Sequence, residues 1–243
     1  MNGRSKRTRE EAHDGRLSDR QLLEQFVRHN DGDAFAELVS RYCGLVLGVC
    51  RRNSSDEHSA EDAFQATFLV LARRASKIRN SASLAGWLYA VAYRTALRAN
   101  ARPHRRREEA LREDMTATDD VLAQVASRYE QQLLDEELDR LPTKYREPLV
   151  LRYLVGKSNR EIATQLGLGL GIVEGRLKRG KERLRLSLVK RGIGLSAVLA
   201  AVGASTPLAE AAAADSLLAA TVQSAVAFKS GAGPTGDFSE GAI

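Results

Sequence analysis

The sequence predicts an all-α fold: two small helical domains joined by a flexible linker, followed by an Ala-rich C-terminal stretch. Three observations predict it. From Leu17 onward apolar residues recur three and four apart, and strand-like alternation is almost absent. Hydrophobic residues make up 43% of the 243-residue chain but aromatics only 5%, which suits small cores rather than one large one. The character of the chain also changes twice, at a charged stretch near its middle and at an almost uncharged stretch from residue 192.

Residues 1–16 are charged and carry no hydrophobic period, so they are expected as a loose tail. The first domain, residues 17–104, opens with "SDRQLLEQFV", where Ser18 is a natural N-cap and Leu22, Leu23 and Phe26 form one stripe. A long helix follows in "DGDAFAELVSRYCGLVLGVCRR". The next, "SAEDAFQATFLVLARRASKI", puts Ala60, Phe64, Phe68, Leu71 and Ala75 on one face and Glu61, Asp62 and Gln65 on the other. A polar loop, "RNSAS" at 79–83, leads into the helix "LAGWLYAVAYRTALRAN".

Residues 105–128 lack a period and read as the linker. The second domain, 129–191, contains Pro142 at a first-turn position and Pro148, which is expected to kink its helix. Residues 192–243 are Ala-rich, and their apolar run "IGLSAVLAAVGA" is too short to span a bilayer. The N-terminus has no apolar signal segment, so a cytoplasmic location is expected. Cys43 and Cys50, seven apart on one helical face, read as small buried hydrophobes, and no Cys/His spacing suggests a metal.

Charge placement points to a polyanionic partner. Residues 171–191 hold eight Lys and Arg against Glu174 and Glu182, a surplus equal to the net +6 of the whole chain. A second basic run, 94–107, contains Arg94, Arg98, Arg102, Arg105, Arg106 and Arg107, and an acidic stretch, 108–147, lies between the two.

The stretch "GLGLGIVEGRLKRGKERLR" decides how the polyanion is met. A dinucleotide fingerprint needs a third glycine where Ile172 or Glu174 stands, and a P-loop lysine motif is missing, so a nucleotide-using enzyme is disfavoured. A helix-turn-helix fits instead. Ser158 and Glu161 form a capping box opening Asn159–Leu166, Gly167 suits the left-handed position after that helix, and Gly169 starts the next. Val173, Leu177, Leu184 and Leu188 make its inner face, which frees the basic side chains for DNA.

On these residues the chain resembles a known family. "LPTKYREPLVLRYLVGKSNREIATQLGLGLGIVEGRLKRGKERLR" looks like region 4 of bacterial RNA polymerase sigma factors of the ECF (extracytoplasmic function) group. "GDAFAELVSRYCGLVLGVCRR", "AEDAFQATFLVLAR" and "SLAGWLYAVAYRTALRANAR" resemble that group's region 2. The resemblance covers roughly residues 17–191, in the family's order.

It implies a non-enzymatic initiation factor with no catalytic residues, metal or cofactor. Its partners would be core RNA polymerase, through the β′ clamp helices and β flap, and promoter DNA. Arg176, Lys178, Arg179 and Lys181 would meet the −35 element. The loop residues Arg79, Asn80 and Ser81, with Trp87, Arg94 and Arg98, would meet the −10 element; Trp87 reads equally as core beside Leu84, Leu88 and Val91. Glu61, Asp62 and Gln65 match the polymerase-gripping face, although Ala66 stands where an acid is common. Glu174 and Gly175 depart from the family's usual base and hydroxyl. The resemblance also implies control by an anti-sigma factor or within the chain by residues 192–243. A helix-turn-helix regulator acting without polymerase is the alternative, and it leaves residues 17–104 without a task.

Overall fold

The computed structural model describes residues 17–78, 84–101, 119–204 and 211–230. The expected tail at 1–16 and the loop at 79–83 lie outside them. Every regular element among the described residues is helical.

Helix α1 (Asp19–His29) begins at Ser18, whose side chain accepts from the Gln21 backbone while Gln21 returns the bond, a closed capping box. Helix α2 (Gly32–Asn53) starts on Asp31, whose carboxylate takes the Asp33 and Ala34 N–H groups. Helix α3 (Glu57–Arg74) starts on Asp56 and runs into a short 3₁₀ turn at Ala75–Lys77. Helix α4 (Leu84–Ala101) packs on both α2 and α3. Phe26, Phe35, Phe64 and Phe68 interlock at their centre, with centroids 4.4 Å apart for Phe26–Phe35 and 4.9 Å for Phe64–Phe68. The predicted stripe of Ala60, Phe64, Phe68, Leu71 and Ala75 is buried. Cys50 is buried too, with burial pushing its thiol pKa up, while Cys43 is half-buried.

Part of the expected linker is ordered. Helix α5 (Asp119–Arg140) includes its last ten residues, 119–128; residues 102–118 are not described. The reason is propagation. Leu133, Leu134 and Leu138 are buried, and once that face nucleates a helix, extending it backwards through "VLAQVASRY" costs little even with Val125 and Tyr129 left exposed.

Helix α6 (Thr143–Leu149) begins one residue after Pro142, so Pro142 caps the helix rather than sitting in its first turn. The kink expected from Pro148 is realised as a widened π turn at Val150–Leu154, with Val155 N donating to Val150 O at 3.1 Å. Helix α7 (Asn159–Leu166) carries the predicted Ser158/Glu161 capping box and ends on Gly167 at φ 63°. Helix α8 (Leu170–Val189) starts after Gly169. Helices α9 (Leu195–Ala204) and α10 (Ala211–Lys229) complete the chain's described elements.

Helix α5 joins the two halves through a buried polar network. The Arg52 guanidinium donates to both carboxylate oxygens of Asp135 at 2.9 and 3.1 Å, and Asp135 is fully buried. Asn53 Nδ2 adds a bond to the same carboxylate at 2.7 Å and the Tyr89 hydroxyl another at 3.1 Å. Burial pulls the Arg52 pKa down, but the adjacent Asp135 charge more than offsets it and the net shift is upward. Around this pair α5 caps the end of α2. Gln132 Nε2 donates to Arg52 O at 2.7 Å, and Arg128 donates to Arg51 O and Ser54 O, carbonyls that a helix end leaves without partners.

Two glycines of α8 differ in what they do. A Cβ at Gly180 would lie 3.1 Å from Leu149 Cδ1 and 3.3 Å from Tyr145 Cβ, so the missing side chain lets α6 and α8 approach closely. At Gly175 the neighbour at 3.2 Å is only the terminal guanidinium nitrogen of Arg179.

Replacing Asp135 with Ala is expected to destabilise the chain by ~3–5 kcal/mol, since Arg52 is left buried and unpaired; urea unfolding followed by circular dichroism measures it. Gly175→Ala should raise stability by up to about 1 kcal/mol as Arg179 swings aside, whereas Gly180→Leu should cost roughly 1–3 kcal/mol by overpacking. Thermal unfolding of the two variants would reveal the opposite signs.

Candidate nucleic-acid interface

The most basic helix of the second half is α8, and its position is fixed from three sides. Helices α6 and α7 pack on it directly, and α5 packs along it. Ser187 Oγ donates to Glu137 of α5, and Arg191 donates to Glu136 at 2.7 Å, which lowers the Glu136 pKa. Its inner face is Val173, Gly180, Leu184 and Leu188, all buried, with Leu177 packed alongside. Gly180 therefore belongs to the face predicted from leucine and valine spacing alone.

The four sequence-predicted contact residues do not form one patch. Lys178 and Lys181, three apart, lie with Glu174 along one flank and line a cleft of about 290 Å³ with Arg152, Tyr153, Asn159 and Leu177. Arg176 and Arg179 lie on the opposite flank, with Arg183 one turn beyond Arg179. Lys178, Arg179 and Lys181 are exposed and Arg176 is half-buried. The Arg183 guanidinium sits 5.0 Å from the Tyr145 ring centroid, and Lys144 lies 5.1 Å from the same ring.

Sequence reasoning missed Arg152 and Tyr153 as members of this surface. Only the π turn after Pro148 carries them to the cleft beside α8, and nothing in local periodicity signals a π turn.

In the first half, Arg79, Asn80 and Ser81 lie outside the described residues. Trp87 is half-buried and packs against the core cluster. Arg94 approaches Asp139 of α5 at 3.8 Å, and Asp139 also pairs with Arg146 at 3.1 Å. Arg98 is exposed. On α3, Glu61 and Gln65 are half-buried while Asp62 is exposed, with its carboxylate 3.9 Å from His58. The structure thus brings Arg94 against α5 rather than leaving it open beside Arg98.

Among the described residues, no group of His, Cys, Asp and Glu is arranged to hold a metal ion, and no helix is long and apolar enough to cross a membrane.

Comparison with known proteins agrees with this architecture. The family described as "Sigma-70 region 2" matches residues 38–108, and "Sigma-70, region 4" matches residues 131–184. The chain is similar to the ECF RNA polymerase sigma factor SigE of Mycolicibacterium smegmatis, at 34% identity over 63% of this chain; it spans 61% of that relative's length. It is also similar to the ECF RNA polymerase sigma factor SigW of Bacillus subtilis, at 28% identity over 67% of this chain and 92% of the relative. The RNA polymerase sigma-H factor of Pseudomonas aeruginosa is 30% identical over 70% of this chain and 93% of its own length. With the two regions present in order, and a helix-turn-helix built on the glycine turn of the second, the chain belongs to the ECF group of the sigma-70 family of RNA polymerase sigma factors.

Proposed function

We propose that the chain binds core RNA polymerase and directs it to promoters, supplying binding energy for recognition and strand opening while the polymerase performs the chemistry. The observation that carries this reading is the seating of α8. A capping box, a left-handed glycine and a glycine start set a basic helix against α6 and α7 with its outer surface exposed, the arrangement a major-groove reader requires. The presence of both family regions in one chain favours an initiation factor over a regulator that never touches polymerase.

In this reading α8 enters the groove of the −35 element. Arg176 and Arg179 reach one side of the groove, while Lys178 and Lys181 approach the other beside Arg152. Glu174 repels phosphate on that second flank or accepts from a cytosine amino group. Asp62 is the exposed acid of α3 offered to the polymerase, with Glu61 and Gln65 flanking it. Arg79, Asn80, Ser81, Trp87, Arg94 and Arg98 serve the −10 element. The chain works in the cytoplasm, where the polymerase is.

Run-off transcription with purified chain and bacterial core polymerase across a genomic promoter pool tests the reading; start-site selection no better than core polymerase alone would defeat it. Within that assay, Arg179→Ala is expected to weaken −35-dependent output by ~1–3 kcal/mol, about 5- to 150-fold, if it reads a base. Glu174→Lys should strengthen binding of the isolated −35 duplex at low salt and steepen its salt dependence by one phosphate equivalent, on the order of −0.9 in the log–log slope; fluorescence anisotropy over a salt series reads both. Asp62→Lys should abolish polymerase binding while leaving duplex binding intact, which separates this function from polymerase-independent regulation.

A further inference from the structure

The family regions end at residue 184, and the helices that follow are built into both halves of the molecule. Helix α9 packs on α5, α8 and the π turn. Its Leu195, Val198 and Val202 are buried, and Leu195 and Leu199 meet Leu138, Leu149, Leu154 and Leu184 with a residual gap of only about 10 Å³. Helix α10 instead packs on α2 and α3 of the first half. Leu217, Thr221 and Ala225, spaced one turn apart, are buried there, and Leu218, Val222 and Val226 close the edges. Thr221 turns its hydroxyl back onto Leu217 O at 2.6 Å, so the buried stripe presents no unsatisfied polar atom.

The far end of α10 is fastened as well. Lys229 donates to the Phe26 carbonyl at the end of α1, and its ammonium stands 4.2 Å from the Phe26 ring centroid. Asn30 Nδ2 donates to Ser230 Oγ at 3.1 Å. A single stretch of chain therefore grips the helix-turn-helix half with α9 and the other half with α10.

The state so held is too short for promoter work. A Cβ on Gly86 of α4 would lie 2.7 Å from Glu147 Cγ of α6, and one on Gly180 of α8 would lie 3.1 Å from Leu149 Cδ1 of the same helix. With neighbouring helix axes 8–10 Å apart, α4 and α8 are separated by roughly 20 Å. Promoter elements two helical turns apart lie about 70 Å from each other, at about 35 Å per turn. In the same state Arg94 faces Asp139 instead of a phosphate.

We propose that helices α9 and α10 act as an intramolecular strap that holds the two halves closed, and that α10 must leave its seat on α2 and α3 before the chain can span a promoter. The functional half of this proposal rests on the sigma-factor reading. Helix α10 is the end that yields: its buried stripe is two small side chains and one leucine, whereas α9 buries an isoleucine neighbour, Ile193, a leucine and two valines. The seat lies along α2 and α3, and α3 is also the helix that carries Glu61, Asp62 and Gln65.

The test uses the full chain. Thr221→Arg combined with Ala225→Arg places two cations against the seat. Genetically encoded spin labels at Arg73 of α3 and Val189 of α8 report the separation of the halves, and run-off transcription reports function. The expected result is a longer, broader distance distribution and at least a threefold rise in promoter output over the unsubstituted chain. A second variant drives the opposite change: Gly32→Cys with Val226→Cys, where a Cβ on Gly32 stands 3.4 Å from Val226 Cγ2, should lock α10 down when oxidised. Its output should fall at least threefold and return on reduction. Unchanged distances in the arginine variant overturn the strap. Lengthened distances with unchanged output in both variants overturn its regulatory role and leave α10 a passive brace. If every chain, including the unsubstituted one, selects no start site, it is the sigma-factor reading that fails, and the distances alone decide the strap.

Discussion

The fold depends on how α5 spends its acids. Asp135, Glu136, Glu137 and Asp139 lie within five residues, and the helical turn sends them in different directions. Asp135 is buried against Arg52 of α2, Glu136 and Glu137 hold Arg191 beyond α8, and Asp139 faces Arg146 of α6 and Arg94 of α4. One helix is thereby tied by charge to three others and to the segment that follows α8. The ties are unequal. The Arg191–Glu136 pair is half-exposed on both sides and screened by solvent. The Asp135 carboxylate, with no exposed surface, tolerates no loss of partner.

That inequality gives the molecule a firm centre and soft margins. Around Asp135 the ends of α2 and α4 are stitched together as well: Asn100 accepts from the Ser55 N–H and donates to Asn53 O, both at 2.7 Å. The turn between α2 and α3 is thus held by polar bonds from two helices, and it cannot fray without exposing the ion pair. Farther out, contacts are made by small side chains and by glycine. Gly86 and Gly180 allow α6 to nest between α4 and α8, a sandwich set by close approach more than by bulk. Cores short of aromatic residues reach native packing this way, with backbones drawn together where large side chains are scarce.

Much of this was legible in the sequence. The capping boxes at Ser18 and Ser158, the left-handed Gly167 and the phenylalanine stripe of α3 are local, and local chemistry decides them. The all-helical class and the helix-turn-helix followed from spacing. What escaped reading was non-local. Arg52 and Asp135 are 83 positions apart, and each alone looks like a solvated surface charge. Nothing local marks Gly180 as a packing position, because its partner, Leu149, is visible only once α6 is in place. The candidate contact residues were identified as a charge-rich segment, but their division between two flanks of α8 depends on which side the π turn covers. The C-terminal end of the expected linker is helical for a similar reason: helix there propagates from buried leucines outside the stretch.

The internal pairing of charge also changes what a polyanion would meet. Of the eight cations between residues 171 and 191, Arg185 is bound to Glu182, Arg191 to Glu136 and Glu137, and Arg183 lies on the face of Tyr145. Arg176, Lys178, Arg179, Lys181 and Lys190 are the rest. The count of eight cations therefore overstates what can meet phosphate: Arg183 keeps its charge over the neutral ring, but Arg185 and Arg191 are already matched by carboxylates, so counterions displaced on docking would number nearer six than eight, with a correspondingly gentler response to ionic strength. A reader with fewer uncommitted charges holds random duplex less tightly, and so leaves more of its discrimination to the groove itself.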